Sequence, residues 1–201
     1  RDYLSKIDID SELVGKSVGT SAGIFDVCTI AKERGALVIA AHIDEYAGIN
    51  SMSTANVEKI LNRKYIDAVQ VVNRQIWEEY NDSKNKDDMI ASLNSKYGRE
   101  ISIDIAENWK KTYNSTIKAN IPTLSFSDNP CSNGEAKHGL WGIGKTYTWI
   151  KMDKDPDLES IRQALLSEDM RIKLKEHTEQ IPETKPDMWI KSIKVENATI
   201  N

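Results

Sequence analysis

Apolar residues in the first half of the chain alternate between helical spacing and short continuous runs. Residues 24–31 place their apolar side chains on one face of a helix, and residues 36–41 form an unbroken apolar run. That run predicts a strand buried on both faces. A second helix at 54–61 and a second strand at 66–72 repeat the order. This alternation favours parallel strand pairing and an α/β fold.

The second half continues the alternation along the chain. Helical spacing covers residues 73–98 and 102–118, and residues 121–126 predict a third buried strand. Residues 147–152 alternate β-branched and aromatic side chains, which is typical of a strand. Asp157 then predicts the N-cap of a further helix.

Composition divides the chain into three parts. Residues 1–175 carry the α/β pattern. Residues 176–187 contain two prolines and many charges, and we expect them to be a linker. Residues 188–201 alternate again, as in an added strand or the start of a following domain. Because the chain begins without Met and ends in this strand-like segment, we expect it to be a fragment or an expressed domain of a longer protein.

Overall composition narrows the class of protein. The 201 residues are 39% hydrophobic and 29% charged, which suits a globular domain with a core. The net charge of −4 argues against a dedicated nucleic-acid-binding module. Neither a transmembrane run nor a signal peptide is evident, so we expect a cytoplasmic protein with no membrane partner. The five tryptophans are dispersed along the sequence, which does not indicate a stacking platform for single strands.

Two side chains with metal-binding chemistry stand at predicted strand ends. His42 directly follows the first strand, and Asp128 follows the third. Functional groups gather at the C-terminal ends of parallel strands in α/β folds. Asp44 and Glu45 come just after His42, and imidazole with carboxylate oxygens suits Zn, Mn or Fe. The alternatives are a hydrogen-bonded histidine at position 42 and an Asx turn at Asp128.

The loop after Asp128 holds further candidates. Glu135 and His138 are three residues apart and could reach a metal or remain in solvent. His177 lies among the charges near the predicted linker, and we expect no role for it.

The octapeptide from Gly139 to Thr146 fits the phosphate-binding P-loop pattern. That loop works when a strand precedes it and a helix follows it, because the helix N-terminus faces the phosphates. Here the preceding residues are polar and the following residues predict a strand. A P-loop nucleotide-binding domain is therefore kept only as an alternative, and it requires a helix beginning at Lys145.

Several short segments, in order, resemble one known family. Residues 40–44, with Gly48 soon after, resemble the segment of PHP (polymerase and histidinol phosphatase) domains that supplies a metal-binding histidine. Ser127 and Asp128 resemble the final metal motif of that family, and residues 143–165 are similar to the subgroup fused to an ABC- or SMC-like ATPase. The resemblance spans roughly residues 20–175.

The resemblance implies a fold and an activity. It implies a distorted β/α barrel with parallel strands, here lacking the first ones, and two or three divalent metals at its C-terminal rim. His42 and Asp128 would be metal ligands of a phosphoesterase that acts on nucleic acid or a nucleotide. Residues 188–201 look like the first strand of an ATPase domain of the same polypeptide, as in bacterial DNA-repair or phage-defence proteins.

The chain departs from the family pattern at two points. The opening His-any-His motif is absent, and we expect it upstream. Pro130 stands where the histidine of the final motif belongs, and a proline side chain cannot ligate a metal. Either His138 substitutes from the loop or the site has lost a metal. The second case defines an alternative function, a degenerate PHP domain that serves as a binding or regulatory module.

Overall fold

The chain folds as a mixed α/β protein with a parallel sheet and a smaller antiparallel sheet. The computed structural model describes Lys6 and residues 19–46, 48–80, 86–128, 139–152 and 155–178. Most of the predicted linker and the whole predicted strand within 188–201 lie outside these residues. The α/β fold with parallel strands is confirmed, and the described residues contain no closed barrel.

Seven helices and five strands are numbered here in chain order within the described residues. The helices are α1 Ile24–Glu33, α2 Thr54–Ile60, α3 Arg74–Glu79, α4 Lys86–Tyr97, α5 Ile103–Lys118, α6 Leu158–Leu166 and α7 Glu168–Arg171. The strands are β1 Ile39–Ala40, β2 Ala68–Gln70, β3 Thr123–Leu124, β4 Thr148–Ile150 and β5 Ile172–Leu174. Short 3₁₀ turns occupy Ile49–Ser51 and Lys175–His177.

The parallel sheet has the order β1-β2-β3, so β2 is central. All three residues of β2 are buried. The prediction that residues 36–41 form a strand buried on both faces was wrong, because none of the six is buried and Ala36, Ile39 and Ala41 are exposed. The reason is position: β1 lies at the edge of the sheet, where Val38 and Ala40 pack against the core and the alternate side chain of Ile39 does not.

Two apolar clusters cover the two faces of this sheet. Val69 belongs to a large cluster formed with the helices from α1 to α5, and its neighbour Ala68 belongs to a smaller cluster with α6 and β5. Successive strand residues point to opposite faces, so the two clusters lie on opposite sides. Trp77 and Trp109 are buried in the larger cluster.

Side chains of other elements form hydrogen bonds with backbone groups along the outer edge of β3. The backbone N–H of Thr123 donates to Glu168 Oε1 at 2.9 Å. The Thr148 hydroxyl accepts from the Ser125 N–H and donates to the Ser125 carbonyl, both at 2.9 Å. These bonds satisfy edge groups that would otherwise be open to another strand and connect the antiparallel β4–β5 pair to the end of β3.

The helices follow the sequence prediction closely. Residues 102–118 form the single helix α5, and Asp157 caps α6 by accepting from the Ser160 N–H at 2.7 Å. Residues 73–98 contain two helices, α3 and α4, with residues 81–85 outside the described part. None of the described helices combines the length and apolar character that a membrane crossing requires.

Asp67 connects the first helix and strand to the central strand. Its Oδ2 accepts from the Val38 N–H at 2.8 Å, and its Oδ1 accepts from Lys32 Nζ at 2.6 Å. The side chain therefore joins α1, the start of β1 and the start of β2.

Replacing this carboxylate should destabilise the sheet edge. We expect Asp67→Ala to lower the free energy of unfolding by about 1–3 kcal/mol, because the Val38 N–H is left unpaired. Denaturant titration followed by circular dichroism measures the change. The exposed Glu100→Ala substitution is the control, expected within about 0.5 kcal/mol of the parent chain. Equal effects of the two substitutions would contradict this role for Asp67.

Candidate functional site at the carboxyl edge of the parallel sheet

The carboxyl ends of the three parallel strands bring the predicted site segments to one edge. Gln70, the last residue of β2, lies between the other two strands. Its Oε1 accepts from the His42 N–H at 3.2 Å, and its Nε2 donates to the Phe126 carbonyl at 3.5 Å. The segments that carry His42 and Asp128 therefore flank the end of β2 on either side.

His42 sits in an unusual environment for a histidine. Its backbone is in the left-handed region with φ of 31°, and its side chain is half-buried. The Nδ1 atom is buried and has no hydrogen-bond partner among the residues that the structure describes. Buried polar atoms are nearly always paired, so an unpaired ring nitrogen at a strand end marks a position where a ligand would find a free lone pair or donor.

Gly48 is required by the way the loop after β1 folds back. A Cβ at this position would lie 2.3 Å from the His42 carbonyl oxygen and 3.0 Å from Ile43 Cα. Only glycine permits this approach. The closeness of Gly48 to His42 in the chain thus has a structural cause, since the backbone of residue 48 packs directly on that of residue 42.

Asp44 is fully buried and is used for structure. Its carboxylate accepts from the backbone N–H groups of Val72 and Asn73 and from Trp77 Nε1, each at 2.8 Å. The Asn73 side chain donates back to the Asp44 carbonyl at 2.7 Å. The sequence grouped Asp44 with His42 as metal-binding chemistry, but these donors direct its oxygens towards β2 and α3.

A second network lies beside Asp44. Glu45 Oε1 accepts from the Tyr97 hydroxyl at 2.7 Å, and Lys96 Nζ donates to the Val72 carbonyl and to Asn73 Oδ1 at 2.6 and 2.7 Å. Burial and the neighbouring Glu45 carboxylate raise the pKa of Tyr97. Burial lowers the pKa of Lys96, while the surrounding carboxylates oppose that shift.

A cavity of about 620 Å³ opens at the end of β2, next to this network. Its walls come from α3, α4 and the 3₁₀ turn after β5, and its charged groups are those of Arg74, Asp88, Lys96 and Glu176. Glu176 Oε1 accepts from the Ser125 hydroxyl at 3.0 Å, whereas its Oε2 is buried without a partner. Arg74 bonds to Glu78 Oε1 at 3.2 Å and to the Thr123 hydroxyl, and its Nε is buried and unpaired.

The remaining predicted ligands are less well placed. Asp128 is exposed, with φ of 54°, and lies four residues after the end of β3. Pro130, Glu135 and His138 lie outside the described residues. Across the part of the chain that the structure describes, no three His, Cys, Asp or Glu side chains gather in a group that could hold a metal ion.

Two other features were singled out in the sequence, the octapeptide that fits the P-loop pattern and His177. After Gly139 the chain forms turns up to residue 145, and β4 follows where a P-loop would begin its helix. This agrees with the strand predicted there. His177 is exposed, with Nε2 3.5 Å from Glu78 Oε2.

The chain was compared with protein-family models, curated proteins and solved structures, and none of them matches it.

Three residues at this edge were missed by the sequence analysis. Gln70 was visible as a polar residue inside an otherwise apolar strand, which is a usable signal. Lys96 lay in an ordinary charged helical pattern, and Glu176 was assigned to the linker. Their positions depend on tertiary packing, which local spacing does not encode.

Two substitutions test whether Asp44 has a structural role that Asp128, the candidate ligand, does not have. Asp44→Asn should lower the free energy of unfolding by about 1–3 kcal/mol for each donor that it leaves unpaired, since an amide nitrogen cannot accept from a N–H. Asp128→Asn should change it by less than about 0.5 kcal/mol, because asparagine also tolerates a positive φ and the site is exposed. Urea denaturation gives both values. A larger loss for Asp128→Asn than for Asp44→Asn would reverse the assignment.

Proposed function

We propose that this chain provides part of the metal-binding edge of a metal-dependent phosphoesterase of the PHP type. The observation that supports it most is the buried, unpaired Nδ1 of His42 at the carboxyl end of β1. Histidine at this position is the residue on which the family resemblance depends. Functional groups of α/β enzymes collect at this edge of the sheet.

The ligand set proposed from the sequence is His42, Asp128 and His138, with Zn, Mn or Fe as the divalent metal. The donor chemistry of the two described members fits such an ion, since an imidazole nitrogen and a carboxylate oxygen both bind it. A bound divalent ion would supply Lewis-acid stabilisation of a phosphoryl group and an activated water. His138 is part of the proposal on sequence grounds alone.

The chain's own residues have definable tasks on this proposal. Gln70 and Gly48 fix the backbone of His42, through a hydrogen bond and through close packing. Lys96 and Arg74 line the cavity with positive charge, which suits a phosphoester group. The carboxylates of Asp88 and Glu176 line the same cavity and balance this charge, so the cavity would hold the substrate beside a metal better than it would hold free phosphate.

The wider proposal follows the family subgroup. Residues 188–201 would begin an ABC- or SMC-like ATPase domain of the same polypeptide, and the substrate would be nucleic acid or a nucleotide. A cytoplasmic role in DNA repair or phage defence is consistent with that architecture.

A degenerate PHP domain that binds or regulates is the second candidate. Pro130, which replaces the histidine of the final motif, is the observation that favours it. It differs from the first candidate in a measurable way, since it requires no bound metal.

Metal content distinguishes the two candidates. We expect elemental analysis of this chain, and of a version extended at both ends, to find bound Zn, Mn or Fe that falls at least about tenfold in His42→Ala, because a lost imidazole ligand removes affinity. Hydrolysis of bis-p-nitrophenyl phosphate should fall with it.

The matched control is His177→Ala, which removes an exposed histidine and should leave metal content unchanged. Circular dichroism of each variant confirms that it is folded. If both unsubstituted proteins contain no metal, the hydrolase proposal fails and the binding module remains.

A further inference from the structure

The β4–β5 sheet has two chemically different faces. Thr148 and Ile150 on β4, with Ile172 and Leu174 on β5, face the rest of the protein, where they bond to Ser125 or join the smaller core cluster. Alternate residues must therefore lie on the opposite face. The residues of that outer face belong to neither core cluster, and its two aromatic side chains, Tyr147 and Trp149, are half-buried with Trp149 Nε1 covered.

The register places aromatic and basic side chains opposite each other on this outer face. Trp149 pairs with Lys173, and the backbone bonds Lys175 N to Tyr147 O and Lys151 N to Arg171 O extend the same ladder. We call this set, Tyr147, Trp149, Lys151, Arg171, Lys173 and Lys175, the basic-aromatic face.

Side-chain contacts extend the face into the preceding loop. The rings of Tyr147 and Trp149 meet edge to face, 5.3 Å between centroids, and Lys175 Nζ lies 5.8 Å from the Tyr147 centroid. Lys175 Nζ also donates to the Lys145 carbonyl, and Lys145 Nζ lies 3.0 Å from the centroid of Trp141. Trp141 is 41% exposed, so a broad ring surface is open to solvent.

The charged side chains of this face are all positive, although the chain as a whole is negative. The three opposing pairs contain four cations and two aromatic rings, with Lys151 opposite Arg171, and none of them contains a carboxylate. The whole sequence, in contrast, carries a net charge of −4. Aromatic faces that stack on bases, interleaved with lysines that contact phosphates, are the features by which proteins hold single strands.

We infer that the basic-aromatic face, together with Trp141, binds single-stranded nucleic acid. A duplex offers phosphates to the lysines but no free base faces to the rings, so the aromatic component selects single strands. The face leads to the carboxyl edge of the parallel sheet, because Lys175 is followed directly by Glu176, which bonds to Ser125 and lines the cavity.

This inference names the substrate class of the proposed phosphoesterase, and it rests on that function only for the step from binding to cleavage. Binding itself needs no metal. It can therefore be measured in the presence of EDTA, where failure to bind and failure to hydrolyse are separate results.

The test is fluorescence anisotropy of a labelled oligothymidylate of about 15 nucleotides, with oligouridylate as a parallel arm to distinguish DNA from RNA. With four cations on the face, log K should fall with log of the salt concentration with a slope of about −3. Trp141→Ala should weaken binding about tenfold through lost stacking. Lys173→Gln should reduce the magnitude of the slope by about 0.7.

Lys64→Gln is the matched control, since Lys64 also lies beside an aromatic ring, 5.4 Å from the Tyr65 centroid, but away from this face. It should bind as the parent chain does. Three results would each overturn the inference: absence of binding to either strand at low salt, equal losses in Lys173→Gln and Lys64→Gln, or competition by polyglutamate or duplex DNA as strong as that of the single strand. The last result would indicate a general anion-binding surface.

Discussion

The buried carboxylate of Asp44 is the constraint on which the carboxyl edge depends. A carboxyl group away from water is very costly unless donors surround it, and Asp44 accepts from three of them, two in the segment between β2 and α3 and one on α3. The loop after β1 must therefore turn towards the end of β2. The same turn brings the backbone of Gly48 against that of His42, where a side chain on residue 48 could not fit. A structural acid thus fixes the geometry of the neighbouring candidate ligand.

The periodicity of apolar residues and the helix-capping preferences predicted most helices and strands, because both are properties of short stretches of sequence. The apolar run of β2 and the cap of α6 at Asp157 needed no tertiary knowledge. β5 was missed, since three residues following directly on a helix give no period of their own. The exposed Ile39 shows a second limit of the sequence pattern, because an apolar run does not distinguish a central strand from an edge strand.

The tryptophans illustrate why a dispersed pattern in sequence is weak evidence about surfaces. Trp77 and Trp109 are in the core, so their spacing relative to the others carried no information about binding. Trp141 is connected to Trp149 only through a series of contacts: Lys145 lies over the Trp141 ring, and Lys175 bonds to the Lys145 carbonyl and lies beside Tyr147. Tyr147 in turn contacts the ring of Trp149. The second of these lysines reaches the site only because β5 pairs with β4. Without that strand the basic-aromatic face could not have been found from the sequence.

The carboxyl edge of the parallel sheet and the basic-aromatic face differ in charge. The carboxyl edge carries Glu45, Asp128 and Glu176, whose charges repel a phosphoester. The positive charges of Lys96 and Arg74 in the adjoining cavity offset part of this negative charge. A phosphate group would approach such an edge only if a divalent cation adds positive charge there, or if a separate surface already holds the strand. On the proposed function, the basic-aromatic face would provide the second condition, and the unpaired nitrogen of His42 would provide a position for the first. Binding and metal loading would then be two independent requirements for reaction, and the net charge of −4 would not by itself argue against a nucleic-acid substrate.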